Sequence, residues 1–234
     1  MAPADSARSR GSGIEMCSDE HPTGADATGL TQFQLELARL FFDLPTSAGF
    51  LLAGGAALAA QRLTDRPTRD LDFFTEPGRG DVRTTSAAFE AAARARGWPV
   101  RRVRDSATFC RIVVSGPEDM VVDLALDSPP ALASASSPAG PTFAPEELAG
   151  RKLVALFDRA EARDFVDVYQ LVEHYGKDAL VARATQVDRG FDLAVLADMM
   201  RTLRRFTDDD LPIDLEQVQP LREFFAAWAA ELSP

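Results

Sequence analysis

The chain has 234 residues, 46% of them hydrophobic, and a formal net charge of −11. A chain of this length buries a sizeable core, and its two cysteines, Cys17 and Cys110, indicate neither a disulfide framework nor a Cys-based metal site. The acidic balance argues against a protein that coats nucleic acid non-specifically, although it leaves room for a local basic groove. The longest apolar run, residues 48–60, is too short and too glycine-rich to cross a bilayer, and no signal peptide pattern is present. We therefore expect a cytoplasmic protein with no membrane partner.

The N-terminal part of the chain changes from polar to apolar near residue 30. Residues 1–29 are rich in small and polar side chains and predict a disordered leader. Apolar residues then recur at helical spacing over residues 30–44, which predicts an amphipathic helix. The apolar run 50–53 ends at Gly54-Gly55, and the alanine-rich segment 56–60 follows. This order is typical of a buried strand, a glycine turn and a helix.

The remaining chain divides into a part with strands and a part without. Strands are predicted at 71–74, 100–103, 108–114 and 120–126, with a helix at 85–96, and the last two strands are expected to form a hairpin. Residues 128–141, rich in serine, alanine and proline, predict a loop. From residue 145 onward only helices are predicted, at 149–175, 179–184, 192–204 and 220–232. We therefore predict an α/β (α+β) domain with a mixed sheet over residues 30–144, followed by an all-helical domain over residues 145–234.

The glycine turn and the strand after it contain the first candidate site residues. Gly54 and Gly55 let the backbone approach a ligand and present free N–H groups, as phosphate-binding turns do, although a tight turn with no ligand is an equal alternative. In the strand 71–74 and the residue before it, Asp70 and Asp72 are two residues apart and so point to one face. Such a pair suits Mg²⁺, which takes oxygen ligands, and the alternative is a pair of solvated carboxylates.

A third carboxylate, Asp123, interrupts the otherwise apolar strand 120–126. An Asp in such a strand needs a partner or an opening to solvent. Together with Asp70 and Asp72 it would suit a two-metal phosphoryl-transfer site. The alternative is an Asp at the strand edge that bonds to a turn.

The predicted helix 149–175 carries a cationic stripe of Lys152, Arg159 and Arg163, with Asp167 close to it. Asp164 falls among the apolar positions of the same helical wheel, so we expect it to pair with a buried Arg or to face the active site. A surface helix held by salt bridges is the alternative for the stripe. Five further arginines are candidates for RNA contact, with an ordinary solvated face as the alternative: Arg94, Arg96, Arg101, Arg102 and Arg104.

Two stretches of the sequence resemble the signatures of a known family. The first combines LAGGAAL, residues 52–58, with RPTRDLDFF, residues 66–74, and the second combines RKLVAL, residues 151–156, with RDFVDVYQL, residues 163–171. In order and spacing they resemble the AbiEii/AbiGii toxin family of nucleotidyltransferases. The resemblance covers about residues 50–171.

The resemblance implies a polymerase-β-like nucleotidyltransferase fold and a bacterial toxin encoded beside an antitoxin. Members of the family include enzymes that add nucleotides from an NTP to the acceptor end of tRNA. It further implies site roles by position. Asp70 and Asp72 would hold Mg²⁺ or Mn²⁺ beside Thr68, Lys152 would contact the triphosphate, and Asp164 and Asp167 would complete the site.

One departure from the family keeps other functions open. Ala56 stands where the family often has Thr or Ser, which removes a hydroxyl that could bond a phosphate. One rival function is nucleotide transfer to a small molecule or to a protein. The other is a catalytically silent module that binds a nucleotide or a partner protein.

Overall fold

The structure, a computed structural model, describes residues 29–232. The predicted disordered leader, apart from its last residue, lies outside the described residues, and so does Cys17. Cys110 is free and buried. In the described part of the chain, no helix is long and apolar enough to span a membrane.

A seven-stranded mixed sheet, in the order β3-β4-β5-β2-β1-β7-β6, forms the centre of the N-terminal part. Its strands are β1 Phe50–Ala53, β2 Asp70–Thr75, β3 Val100–Asp105, β4 Phe109–Ser115, β5 Asp119–Leu126, β6 Ala135–Ser137 and β7 Gly140–Thr142. β2 pairs in parallel with β5 and antiparallel with β1, and β4 with β5 form the predicted antiparallel hairpin. The predicted mixed sheet is confirmed.

The prediction of a plain loop at 128–141 was wrong. β6 and β7 pair with each other, and β7 joins the sheet beside β1. Each of these strands has three residues and no apolar alternation, so their pairing depends on tertiary contacts that the sequence pattern does not carry.

Eight α-helices occur within residues 29–232: α1 Gln32–Phe42, α2 Gly54–Ala60, α3 Val82–Ala95, α4 Pro145–Asp158, α5 Ala162–Tyr175, α6 Lys177–Val187, α7 Leu193–Arg201 and α8 Leu215–Glu231. The single helix predicted at 149–175 was wrong, because α4 and α5 are separate. Ala160 between them has a φ of 47°, which no α-helix interior allows, and Glu161 caps α5.

The two faces of the sheet differ sharply. On β2, Leu71 and Phe73 are fully buried and pack toward α1, where Phe73 stacks on Phe41 with ring centroids 3.7 Å apart. Asp70 and Asp72 alternate with them and so point to the opposite face. This alternation confirms the predicted strand and leaves the carboxylates on the face where the site forms.

The helices after β7 pack on one another, with α4 in contact with α2, α5, α6 and α7. The last strand ends at Thr142 and α4 begins at Pro145. One continuous cluster of buried apolar side chains runs from α1 to α8. A division into two domains near residue 144 stays a prediction.

Candidate active site

Asp70 is held as a charged carboxylate at the start of β2. It accepts a hydrogen bond of 2.7 Å from Thr68 Oγ1 and pairs with Arg163, whose Nη1 lies 2.8 Å from Oδ2. Burial raises the pKa of Asp70, but the hydrogen bond from Thr68 and the charge of Arg163 outweigh burial, and the pKa lies below its usual value. Asp70 is therefore ionised and fixed in place.

The surroundings of Asp72 shift its pKa in the direction opposite to that of Asp70. Among residues 29–232, no side chain donates a hydrogen bond to its carboxylate or pairs with it. It lies directly beside Asp123 of β5 in the strand register. Burial, together with the charges of Asp70 and Asp123, raises the pKa of Asp72 to about 7. The charges of Lys152 and Arg163 lower this pKa but do not offset burial and the two carboxylates.

Asp123 faces the same side of the sheet as Asp72 but already has a partner. Arg111, opposite it on β4, donates two hydrogen bonds of 2.8 and 2.6 Å to its oxygens. The hydrogen bond with Asp123 raises the pKa of Arg111 above its usual value. Across the described residues, no group of three or more His, Cys, Asp or Glu side chains is placed to hold a metal ion. A metal role for Asp123 stays a prediction.

The turn at Gly54-Gly55 lies directly against these carboxylates. Gly54 has a φ of 62°, and a Cβ at this position would collide with the Asp72 carboxylate. A Cβ on Gly55 would lie 2.8 Å from Thr68 Oγ1. In the described part of the chain, no side chain caps the first turn of α2, so its N–H groups are available to an anion. Glycine is required here because the backbone and the carboxylate are in contact.

Lys152 reaches the site from α4 and is almost completely buried. Its Nζ lies 2.9 Å from Asp167 Oδ2 and 3.3 Å from Asp164 Oδ1, two fully buried carboxylates on α5. Burial lowers the pKa of Lys152, but the charges of Asp167 and Asp164 raise it above its usual value. Lys152 is therefore a cation whose position is fixed by two buried carboxylates on α5.

The same two carboxylates hold arginines. Asp167 accepts hydrogen bonds of 2.9 and 3.0 Å from Arg66, and Asp164 accepts bonds of 2.9 and 3.1 Å from Arg159. Asp164 is the third residue of α5 and also accepts from the Glu161 N–H. Asp164 is fully buried, as its place among apolar positions predicts, but α4 and α5 are separate helices, and its Arg partner, Arg159, is 45% exposed and not the expected buried Arg.

A cleft of about 280 Å³ opens between this face of the sheet and the helices. The predicted residues that line it are Gly54, Gly55, Asp70, Asp72, Asp123, Lys152, Arg159 and Arg163. Three others, Thr68, Asp164 and Asp167, do not line it but hold side chains that do. Residues from both halves of the sequence are thus brought together.

Arg66 and Arg111 also line the cleft, and sequence reasoning did not single them out. Arg111 could have been found, because the hairpin predicted from 108–114 and 120–126 pairs it with Asp123. Arg66 lies in an irregular segment and meets Asp167 across 101 positions of sequence, for which no periodic signal exists.

A family model described as the nucleotidyl transferase AbiEii toxin of type IV toxin–antitoxin systems matches residues 37–232. The chain belongs to the AbiEii nucleotidyltransferase family. It is accordingly a nucleotidyltransferase of a toxin–antitoxin family, as the sequence motifs predicted. None of the curated proteins matches the chain.

Solved structures share the AbiEii fold of this chain at low sequence identity. JHP933 from Helicobacter pylori has a TM-score of 0.54 and 19% identity, with 87% of this chain and 94% of that chain covered. MenT4, a nucleotidyltransferase toxin from Mycobacterium tuberculosis H37Rv, has a TM-score of 0.58 and 16% identity, with 86% and 82% covered. At these identities the similarity is one of fold.

Proposed function

We propose that this AbiEii enzyme transfers a nucleotide from an NTP to the 3′ end of tRNA in a metal-dependent step that releases pyrophosphate. The observation that carries the proposal is the carboxylate of Asp72, which pairs with no side chain of residues 29–232, neighbours Asp70 and Asp123, and contacts the Gly54 turn. A carboxylate whose pKa is raised by burial and by neighbouring carboxylates, next to backbone N–H groups, suits a reaction in which a cation and a polyphosphate bind together.

The donor set fits a magnesium or manganese ion. Asp72 has a pKa of about 7 because of burial and two neighbouring carboxylates, and a cation at its oxygens would relieve both effects. Asp70 would be the second ligand, and Mg²⁺ is commonly held by one or two carboxylates and substrate phosphates. Asp123 would join only after release from Arg111. When bound, the ion would neutralise charge on the phosphates and activate the attacking hydroxyl.

The cations on the helix side of the cleft suit the triphosphate. Lys152 is a compact charge fixed by two carboxylates, and Arg159 and Arg163 also line the cleft. The first-turn N–H groups of α2, at Gly54-Gly55, would contribute to phosphate binding as well. In the proposed reaction the acceptor hydroxyl oxygen bonds to the α-phosphorus, and the bond from that phosphorus to the pyrophosphate oxygen breaks.

The proposal is tested by incubating the full chain with Mg²⁺, each α-labelled NTP and bacterial tRNA. We expect label in tRNA with the wild type and with Asp178→Asn, an exposed control on α6, and none with Asp72→Asn. Periodate oxidation of the tRNA 3′ end should abolish labelling. Label in a small molecule or in protein would replace tRNA as acceptor, and no turnover of any NTP would contradict catalysis by this site.

We also infer a cytoplasmic location, where tRNA and NTPs occur, and a cognate antitoxin protein. The family description supports the antitoxin, since it assigns the family to toxin–antitoxin systems.

Substitution of Gly54 by alanine should reduce nucleotide transfer on the order of 100-fold, because the new Cβ would push the Asp72 carboxylate out of place. Gly97→Ala is the matched control. Gly97 also has a positive φ, 84°, but a Cβ there meets nothing within 4 Å. Both variants should lose similar stability from backbone strain. Equal transfer rates for the two variants, with melting as a check of folding, would contradict the role assigned to the turn.

A further inference from the structure

The face of the sheet that carries the carboxylates continues past the cleft onto the two outer strands β4 and β3. Residues directly opposite each other on paired strands project to the same face. Asp72 lies beside Asp123, Asp123 beside Arg111, and Arg111 beside Arg104. At the usual spacing of strands, Arg104 is about 14 Å from Asp72 across the sheet.

An irregularity in β3 enriches this face in arginine. The register of β3 with β4 shifts between Arg102 and Arg104, as in a β-bulge. Arg101 is paired with Val113, which lies on the same face as Arg111, so the shift places Arg101 and Arg104 on one face although they are three residues apart. Both are exposed. A regular strand would have sent one of them to the other side.

An aromatic ring lies among these arginines. Phe109 is two residues before Arg111 on β4 and therefore shares its face. The guanidinium carbon of Arg104 lies 5.3 Å from the Phe109 ring centroid, and that of Arg111 lies 5.8 Å from it. The Arg111 side chain stays 42% exposed even while paired with Asp123. We call Arg101, Arg104, Phe109 and Arg111 the β3–β4 strip.

The other arginines of the same sequence cluster point elsewhere. Arg102 turns toward α3, where its Nε lies 2.6 Å from Glu90 Oε1, and Arg94 pairs with the same Glu90 at 3.1 Å. Arg96 directly follows α3, whose Glu90 bonds Arg102 on the face of the sheet away from the cleft. The sheet thus divides the arginines that form one cluster in the sequence: Arg101 and Arg104 lie on the face that leads to the cleft, and Arg102 lies on the face toward α3.

We infer that the β3–β4 strip carries the single-stranded 3′ end of the RNA acceptor and guides its terminal hydroxyl to Asp72, an inference that rests on the proposed function for the nature of the acceptor. Single strands are held by cations that contact phosphates and by rings or guanidinium planes on which bases stack. The strip presents both kinds of group, and it ends at the carboxylates. The chain as a whole has a net charge of −11 and would repel RNA, so a local concentration of arginine beside the cleft provides the positive charge that RNA binding needs.

The test measures binding of a short 5′-fluorescent single-stranded RNA to the full chain by anisotropy, without NTP or Mg²⁺, over a range of salt concentrations. Arg101→Gln combined with Arg104→Gln should weaken binding roughly tenfold and reduce the salt slope by about 1.4, since each phosphate contact contributes about 0.7. Phe109→Leu should weaken binding about fivefold or more, and Phe109→Tyr should retain it. The matched control, Arg94→Gln with Arg96→Gln, removes the same charge from the α3 side and should leave binding within twofold of wild type.

Equal weakening by the strip and control variants would overturn the inference, because it would mean that only total charge matters. An unchanged KM for tRNA in the Arg101→Gln, Arg104→Gln variant would overturn it too, while leaving the proposed transfer intact. RNA binding that depends on the strip, without transfer to any RNA, would support RNA binding by the strip and contradict the proposed function. The arginine variants change exposed side chains, so they keep the test valid if Phe109→Leu fails to fold.

Discussion

Replacement of Asp167 by alanine is expected to lower the free energy of unfolding by about 3–5 kcal/mol, the usual effect of removing one partner from a buried ion pair. Asp167 is fully buried and bonds both Arg66 and Lys152, whose side chains are each only 7% exposed. The variant would leave two cations inside the protein without that carboxylate. At about 2–4 °C per kcal/mol for a chain of this size, the melting temperature should fall by roughly 10 °C.

Thermal melting followed by circular dichroism checks this expectation. The matched control is Glu231→Ala, which also removes a carboxylate from an ion pair, with Lys177. That pair is exposed, so its loss should change the free energy of unfolding by less than about 1 kcal/mol. Similar melting temperatures for Asp167→Ala and Glu231→Ala would show that the buried network does not stabilise the fold.

The acidic half of the site could be predicted from the sequence because it depends on local periodicity. Asp70 and Asp72 share a face since a strand alternates, and Leu71 and Phe73 reveal which face is buried. Asp123 stood out as a charge within an apolar strand, and the parallel pairing of β2 with β5 places it beside Asp72. In each case one strand carried the information.

The basic half could be predicted only in part. Lys152 and Arg159 line the cleft, but the stripe that groups them in the sequence assumes one long helix, and α4 and α5 are separate. The break between α4 and α5 at Ala160 contains no glycine or proline, the residues that usually mark the end of a helix in a sequence. It lets α5 turn its first residues back toward α4, so that Asp164 and Asp167 reach Lys152. This reversal depends on tertiary packing, and the helix propensities of the residues do not predict it.

The contrast between the two halves has a physical basis in how each charge is balanced. Lys152 is balanced from behind by buried carboxylates, so it needs no ligand to be stable. Within residues 29–232 no side chain pairs with Asp72, and the charges of Lys152 and Arg163 do not fully offset its burial and the two neighbouring carboxylates. Active sites commonly keep one unfavourable group of this kind, and removal of that group tends to stabilise the empty protein.

Asp72→Asn should therefore abolish nucleotide transfer yet raise the melting temperature of the metal-free protein at neutral pH. The pKa of Asp72 in the folded protein, about 7, lies above its ordinary value of 3.8 in the unfolded chain. Between these pH values the unfolded chain therefore loses a proton that the folded chain keeps. The contribution of Asp72 to the stability of the wild type consequently falls as pH rises from about 4 to 7, and the variant avoids that loss. Allowing for the partial exposure of the side chain, we expect a gain on the order of 2 kcal/mol, or roughly 4–8 °C, above pH 7.

The measurement compares melting temperatures at pH 5 and pH 8 in EDTA, with Asp70→Asn as the matched isosteric control. The pKa of Asp70 is lowered in the fold, so its charge stabilises the protein above about pH 4 and this effect is lost in acid. Asp70→Asn should thus lower the melting temperature at pH 8, opposite in sign to Asp72→Asn. Added Mg²⁺ should then stabilise the wild type more at pH 8 than at pH 5 and should have little effect on Asp72→Asn. A lower melting temperature for Asp72→Asn at pH 8 would show instead that Asp72 already has a favourable partner in the free protein.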